Sequence, residues 1–195
     1  MFSLIQELLG RLNISIFFSS MFFFFIGYAL APMVYSKKTA LLLAYPMWIA
    51  GKIELWMEKK WNPVVLFLFI FSMNTISLGV DLLSGLVPFL PLFFAVWTGL
   101  NIGVIAFHTL KGRFYYASLF NPVALLELPA AFAVFTMAFQ YNIKIFNINF
   151  KGFQAHSFSE YAAVFAVIVL PLLFAAGILE TWLIFLHKKM ENSGH

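Results

Sequence analysis

Residues Asn13–Tyr35 read NISIFFSSMFFFFIGYALAPMVY, with no Asp, Glu, Lys or Arg among them. A helix needs about 20 mostly apolar residues to cross a bilayer core ~30 Å thick. The stretch is long enough for that, and no A-x-A-like cleavage site leads from it into a hydrophilic sequence, so it reads as a retained span. The rest of the chain follows suit. Of 195 residues, 63% are apolar and 10% are charged, whereas a soluble domain has about 45–50% and 25%. A globule of this size cannot hide so much apolar surface from water. A soluble enzyme, a disordered chain and a nucleic-acid-binding protein are thereby excluded. The 26 Phe residues are expected on lipid-facing positions. There is no cysteine, which removes disulfides, thiolate nucleophiles and thiolate metal sites.

Met1–Arg11 reads as an amphipathic lead-in to the first span. Further spans are expected at Asn62–Val80, Leu86–Thr109, Asn121–Ile143 and Tyr161–His187. Asn121-Pro122 is a helix start, with Asn as cap and Pro in the first turn, and Ser159 before Glu160 suggests a cap on the last span. Phe114–Phe120 reads as interfacial, and Lys144–Ser159 as a polar linker. Thr39–Ala50 is short and interrupted by Pro46, and Gly51–Trp61 mixes Lys52, Glu54, Glu58, Lys59 and Lys60 with Trp56 and Trp61. This second piece is expected to be an amphipathic helix in the headgroup layer. The fold class is thus all-α, a polytopic transmembrane bundle of five spans, or six if Thr39–Ala50 crosses. The chain is read as a single integral membrane domain: residues 1–61 hold the first span and interfacial segment, 62–187 a four-span core, and 188–195 a polar tail. With five spans, nine basic residues fall on one side and three (Arg11, Lys144 and Lys151) on the other. With six, the division is eight to four. Either way the positive-inside rule makes the C-terminus cytoplasmic.

Four polar residues interrupt the spans: Asn74, Asn101, Glu127 and Glu180. A charge at mid-bilayer costs at least about 2.5–3.5 kcal/mol, so such groups turn inward, pair or protonate. Counting helix rise from the cytoplasmic span ends puts Glu127 about 9 Å, Glu180 about 11 Å and Asn101 about 12 Å deep. These three are expected to form one polar cluster, with Asn74, about 18 Å deep, a looser member. Ala124, Ala130 and Ala131 flank Glu127 on its own face, and Ala176 and Gly177 do so for Glu180. Gly99 and Gly103 form a GxxxG match on the face of their helix opposite Asn101. Small residues at such spacings let helix backbones approach closely. His108 and His187 lie at span ends and make no metal motif, and no metal is expected. Asn13-Ile14-Ser15 matches a glycosylation sequon at a membrane edge.

The segment Pro122-Val123-Ala124-Leu125-Leu126-Glu127-Leu128-Pro129-Ala130 resembles the signature of the stage II sporulation protein M family, in which a Pro-His-Gly leads into Glu-Leu-Pro-Ala. Leu170–Glu180 resembles that family's last span, an Ala-rich run before a Glu. Asn101 with Gly103 is similar to its Asn-Gly. Val123 stands where the family has His, so any role of that His is absent or moved here. The likeness covers roughly residues 65–187. It implies a multi-span membrane protein that works in a complex, and carries no expectation of sporulation itself.

The resulting expectation is a non-catalytic scaffold or accessory subunit of a membrane complex, its helices held by the buried Asn/Glu cluster. The alternative is a small proton- or ion-coupled transporter or channel using Glu127 and Glu180. An intramembrane enzyme or haem protein is the weakest reading, and no enzymatic activity is expected. Expected partners are membrane lipids and other integral membrane proteins or further copies of the chain, without nucleic acid. No cofactor is expected beyond bound lipid.

Overall fold

A computed structural model describes residues 2–59, 61–148 and 156–193. Lys60 and most of the expected polar linker (residues 149–155, with Asn149, Lys151, Gly152 and Gln154) lie outside the described residues, as do the side chains of Glu54 and Glu58. The secondary structure of the described residues is helical, in the order α1 (Phe2–Gly10), α2 (Ile14–Ser36), α3 (Ala40–Glu58), α4 (Pro63–Leu83), α5 (Leu90–Thr109), α6 (Ala124–Ile145), α7 (Phe158–Val164) and α8 (Leu170–Ser193). Short 3-10 turns follow α4 (Ser84–Leu86) and precede α6 (Tyr116–Phe120). A π-turn at Phe165–Val169 joins α7 to α8 without a break in direction, so Phe158–Met190 counts as one span. Five helices are long and apolar enough to cross a membrane.

The caps follow local chemistry. Asn13 and Asn62 cap α2 and α4 by accepting from the amides of Ser15 and Val64 at 3.0 and 2.9 Å. Asn121 accepts from the Ala124 amide at 2.8 Å. The last span is capped by Ser157 rather than Ser159, because Ser157 and Glu160 have the three-residue spacing of a capping box.

Contacts along the helices fix their directions. Gly27 of α2 backs onto Val96 and Leu100 of α5, Gly103 backs onto Ala31, and Tyr35 reaches His108 at 2.8 Å. The two helices therefore run parallel. Asn74–Glu127 and Gly85–Ala138 share one separation of 53 positions, which makes α4 and α6 parallel. Asn13 meets Gln140 while Phe24 meets Phe132, so α2 and α6 are antiparallel. Lys188 reaches the Lys59 carbonyl at 3.1 Å while Phe174 packs on Phe67, so α4 and α8 are antiparallel.

This pattern decides the span count. If α3 crossed the membrane, α2 and α5 would be antiparallel. They are parallel, so α3 returns to the side it left, and the six-span alternative falls. Residues 39–50 and 51–58 are not separate pieces either, since one helix runs through Pro46. Its Tyr45 ring lies 6.3 Å from that of Trp97 on α5, and its Trp56 ring 4.7 Å from that of Phe69 on α4. Lys37, Lys38, Lys59, Lys111, Arg113 and Lys188 thus share one end of the bundle, and Arg11 and Lys144 lie at the other.

The core is densest where α2 and α5 meet. Gly27, Gly99 and Gly103 leave no room for a Cβ against the opposing backbone or side chains. Close backbone approach of this kind is how helices gain packing energy where lipid and side chain are equally apolar. The Phe residues divide between two environments. Phe18 and Phe22 face outward, whereas Phe24 and Phe132 are buried with their rings edge to face and Phe135 is buried too, so lipid exposure accounts for only part of them.

Candidate functional site

α4 and α6 run parallel but do not start level. The shared separation sets Ala124 beside Phe71, eight residues into α4, so α6 begins about 12 Å further into the bundle than α4 does. The chain reaches that depth by turning inward after α5. Tight turns with positive φ at Lys111, Gly112 and Phe114 reverse it, and Tyr115 then stacks on Tyr28 with ring centroids 4.5 Å apart.

Backbone groups at such depth need internal partners. The Tyr28 hydroxyl donates to the Tyr115 carbonyl at 2.8 Å, and the Tyr115 hydroxyl returns a bond to the Tyr28 carbonyl. Ser118 donates to the Tyr115 carbonyl at 2.7 Å, and Asn121 donates to the Ser118 carbonyl at 2.6 Å. The segment expected at the interface is thus partly re-entrant. Tyr115 is buried, while Phe114, Tyr116 and Phe120 remain exposed.

Above this loop lies a cavity of about 590 Å³ bounded by α3, α4, α5, α6 and α8. Its walls are mainly apolar, with Asn74, Ser77, Asp81, Glu127 and Glu180 among the polar residues reaching it. The Asn74 amide donates to Glu127 Oε1 at 2.6 Å. Asn74 is therefore the direct partner of Glu127 and not a looser member, because the late start of α6 cancels the expected difference in depth. The expected single layer becomes a staggered column. Gly177 packs on Phe67 and Phe71, which sets Glu180 about two turns, or ~10 Å, nearer the lysine-rich end than Asn74. Asn101 stands apart. It is buried with its Oδ1 unbonded, and its neighbours Thr98, Ile102 and Ile105 line the cavity in its place.

The small residues serve different contacts. Gly99 and Gly103 meet α2, Gly177 meets α4, Ala130 and Ala176 are buried, and Ala124 is half-buried. His108 is bonded to Tyr35. Among the described residues no three His, Cys, Asp or Glu side chains gather as a metal site would require.

Sequence reading missed Asp81 and two residues of α6. Asp81 looked like the end of a span, but α4 continues to Leu83 and buries it. The signal was present: Asn74, Ser77, Leu78 and Asp81 fall at i, i+3, i+4 and i+7, one face of a helix. Gln140 donates to the Arg11 carbonyl at 3.1 Å and accepts from the Asn13 amide at 3.1 Å. Asn142 donates to the carbonyls of Gly85 and Val87 at 3.1 and 2.6 Å. Together they close the end opposite the lysine-rich one, where Phe89 holds a left-handed conformation.

With this architecture in view, the family model described as Stage II sporulation protein M matches residues 14–183. The chain belongs to the Stage II sporulation protein M family. The match begins at the start of α2, well before the region of resemblance read from the sequence, so the α2–α5 pair and α3 are part of the family unit. No curated protein and no solved structure matches the chain. Stage II sporulation protein M membership and the five apolar helices make this a multi-pass membrane protein.

Proposed function

We propose that the protein is a non-catalytic subunit of a larger complex in the cell membrane, with its lysine-rich end and its C-terminus in the cytoplasm. The observation that carries this reading is where several polar side chains inside the bundle spend their hydrogen bonds. Asn74 binds Glu127, Gln140 and Asn142 bind backbone of other segments, and Tyr28 and Tyr115 bind each other. Such bonds hold a bundle in one arrangement. The sidedness rests on the clustered lysines. The least enclosed span is α4, with 11% of its apolar window buried against 56% for α6. Its outward stripe of Val65, Leu68, Met73, Ile76 and Val80 offers a wall to a neighbouring membrane protein. Affinity purification in mild detergent tests the reading: a fixed set of integral membrane proteins should co-purify, and recovery of the chain alone in several mild detergents would refute it.

A second reading, a proton- or ion-coupled conductor, is favoured by the column of Asp81, Glu127 and Glu180 along one cavity. Carboxyls facing an internal cavity in a membrane are typical of ion paths. It requires flux in vesicles containing the purified protein, and loss of that flux in Glu127→Gln and Glu180→Gln.

A further inference from the structure

Asp81 is a carboxyl that the bundle does not use. It is 6% exposed, it lines the cavity, and its Oδ2 is buried without a hydrogen-bond partner. Two donors of the same segment are committed elsewhere: the Asn74 amide is bonded to Glu127, and the Ser84 hydroxyl donates to the Asp81 carbonyl at 2.5 Å. No Lys, Arg or His is among the described residues that line the cavity, while three carboxyl groups are. An unpaired carboxylate inside a membrane is costly, and the cost is relieved by a positive partner. A divalent metal would need the carboxyls drawn together, and they are strung out instead. Much of the remaining wall is hydrocarbon, including Leu78, Ile102, Ile105, Leu128 and Leu173.

We infer that this cavity binds an amphiphilic organic cation, a protonated amine on an apolar body, with the ammonium group on Asp81 and the body against α5, α6 and α8. Its volume of about 590 Å³ falls within the range of ~300–1,000 Å³ usual for small-molecule sites, which are likewise apolar with few polar anchors. Glu127 and Glu180 select against ligands bearing phosphate or carboxylate, which sets amine-headed phospholipids aside. The inference stands independently of the subunit reading.

The probe is 4-phenylbutylamine, with 4-phenylbutanol as its neutral counterpart, added to the purified full-length protein in mild detergent. The amine should raise the unfolding temperature saturably and the alcohol should not. Asp81→Asn, which keeps the shape and removes the charge, should weaken amine binding at least tenfold, whereas Val80→Ala on the outward face should leave it unchanged. Ile105→Trp fills the cavity from α5 with Asp81 intact, and should abolish saturation, which keeps the test decisive if Asp81→Asn does not fold. Equal effects of amine and alcohol, or amine binding that survives both variants, would overturn the inference.

Discussion

Asn74 and Glu127, on two parallel helices and 53 positions apart in sequence, are joined by a hydrogen bond of 2.6 Å. The amide donates and the carboxyl accepts, so the bond does not require a charge on Glu127. Glu127→Gln can keep the accepting oxygen and should unfold within about 0.5 kcal/mol of the parent, while Glu127→Leu strands the Asn74 amide and should cost about 1–2 kcal/mol. Unfolding midpoints in one detergent check this. If Glu127→Gln is as damaging as Glu127→Leu, the charge itself holds the helices.

The α2–α5 contact should be the least tolerant of added volume. A Cβ at Gly99 would overlap the Phe24 carbonyl oxygen, whereas Gly79 has nothing within 4 Å. Gly99→Val is expected to destabilise by about 3 kcal/mol or more, and Gly79→Ala to be neutral or slightly stabilising. Comparable losses at both positions in a thermal unfolding series would contradict the packing.

Removing the hydroxyl of Tyr115 leaves the stacked ring in place but takes away its bond to the Tyr28 carbonyl. Tyr115→Phe should cost about 1 kcal/mol and loosen the re-entrant loop. A cysteine at Ser118 should then react faster with a small thiol reagent than it does beside native Tyr115. Unchanged reactivity would mean that stacking alone holds the loop.

The native chain lacks cysteine, so single cysteines report topology without background. Replacements at Lys37, Lys52, Lys59 and Lys111 should all react with an impermeant maleimide from the cytoplasmic side, and Lys144→Cys only from the opposite side. Labelling of Lys59→Cys and Lys37→Cys from opposite sides would mean that α3 crosses.

Much of this was legible because a bilayer imposes simple rules. An uncharged run such as 13–35 must be a helix, since backbone amides in lipid have no other partner. Asn121-Pro122 announced a helix start because a cap is a local bond. The family signature around Glu127 was legible as a string of residues. The site was less so. Asp81 sat near a span end and looked like a boundary. Its burial depends on how far α4 continues and on which helices face it, and neither is a local property.

The sequence by itself determined the class of the protein, its spans and the lysines at their ends, because hydrophobic length and charge act residue by residue. Tertiary structure alone decided that α2 and α5 run parallel and that α3 therefore turns back. It also decided that α6 starts deep enough to bring Glu127 level with Asn74 while leaving Asn101 outside the cavity. The physical reason is that depth along one helix is set by rise per residue, whereas level between helices is set by where each begins and how closely glycine lets it approach its neighbour.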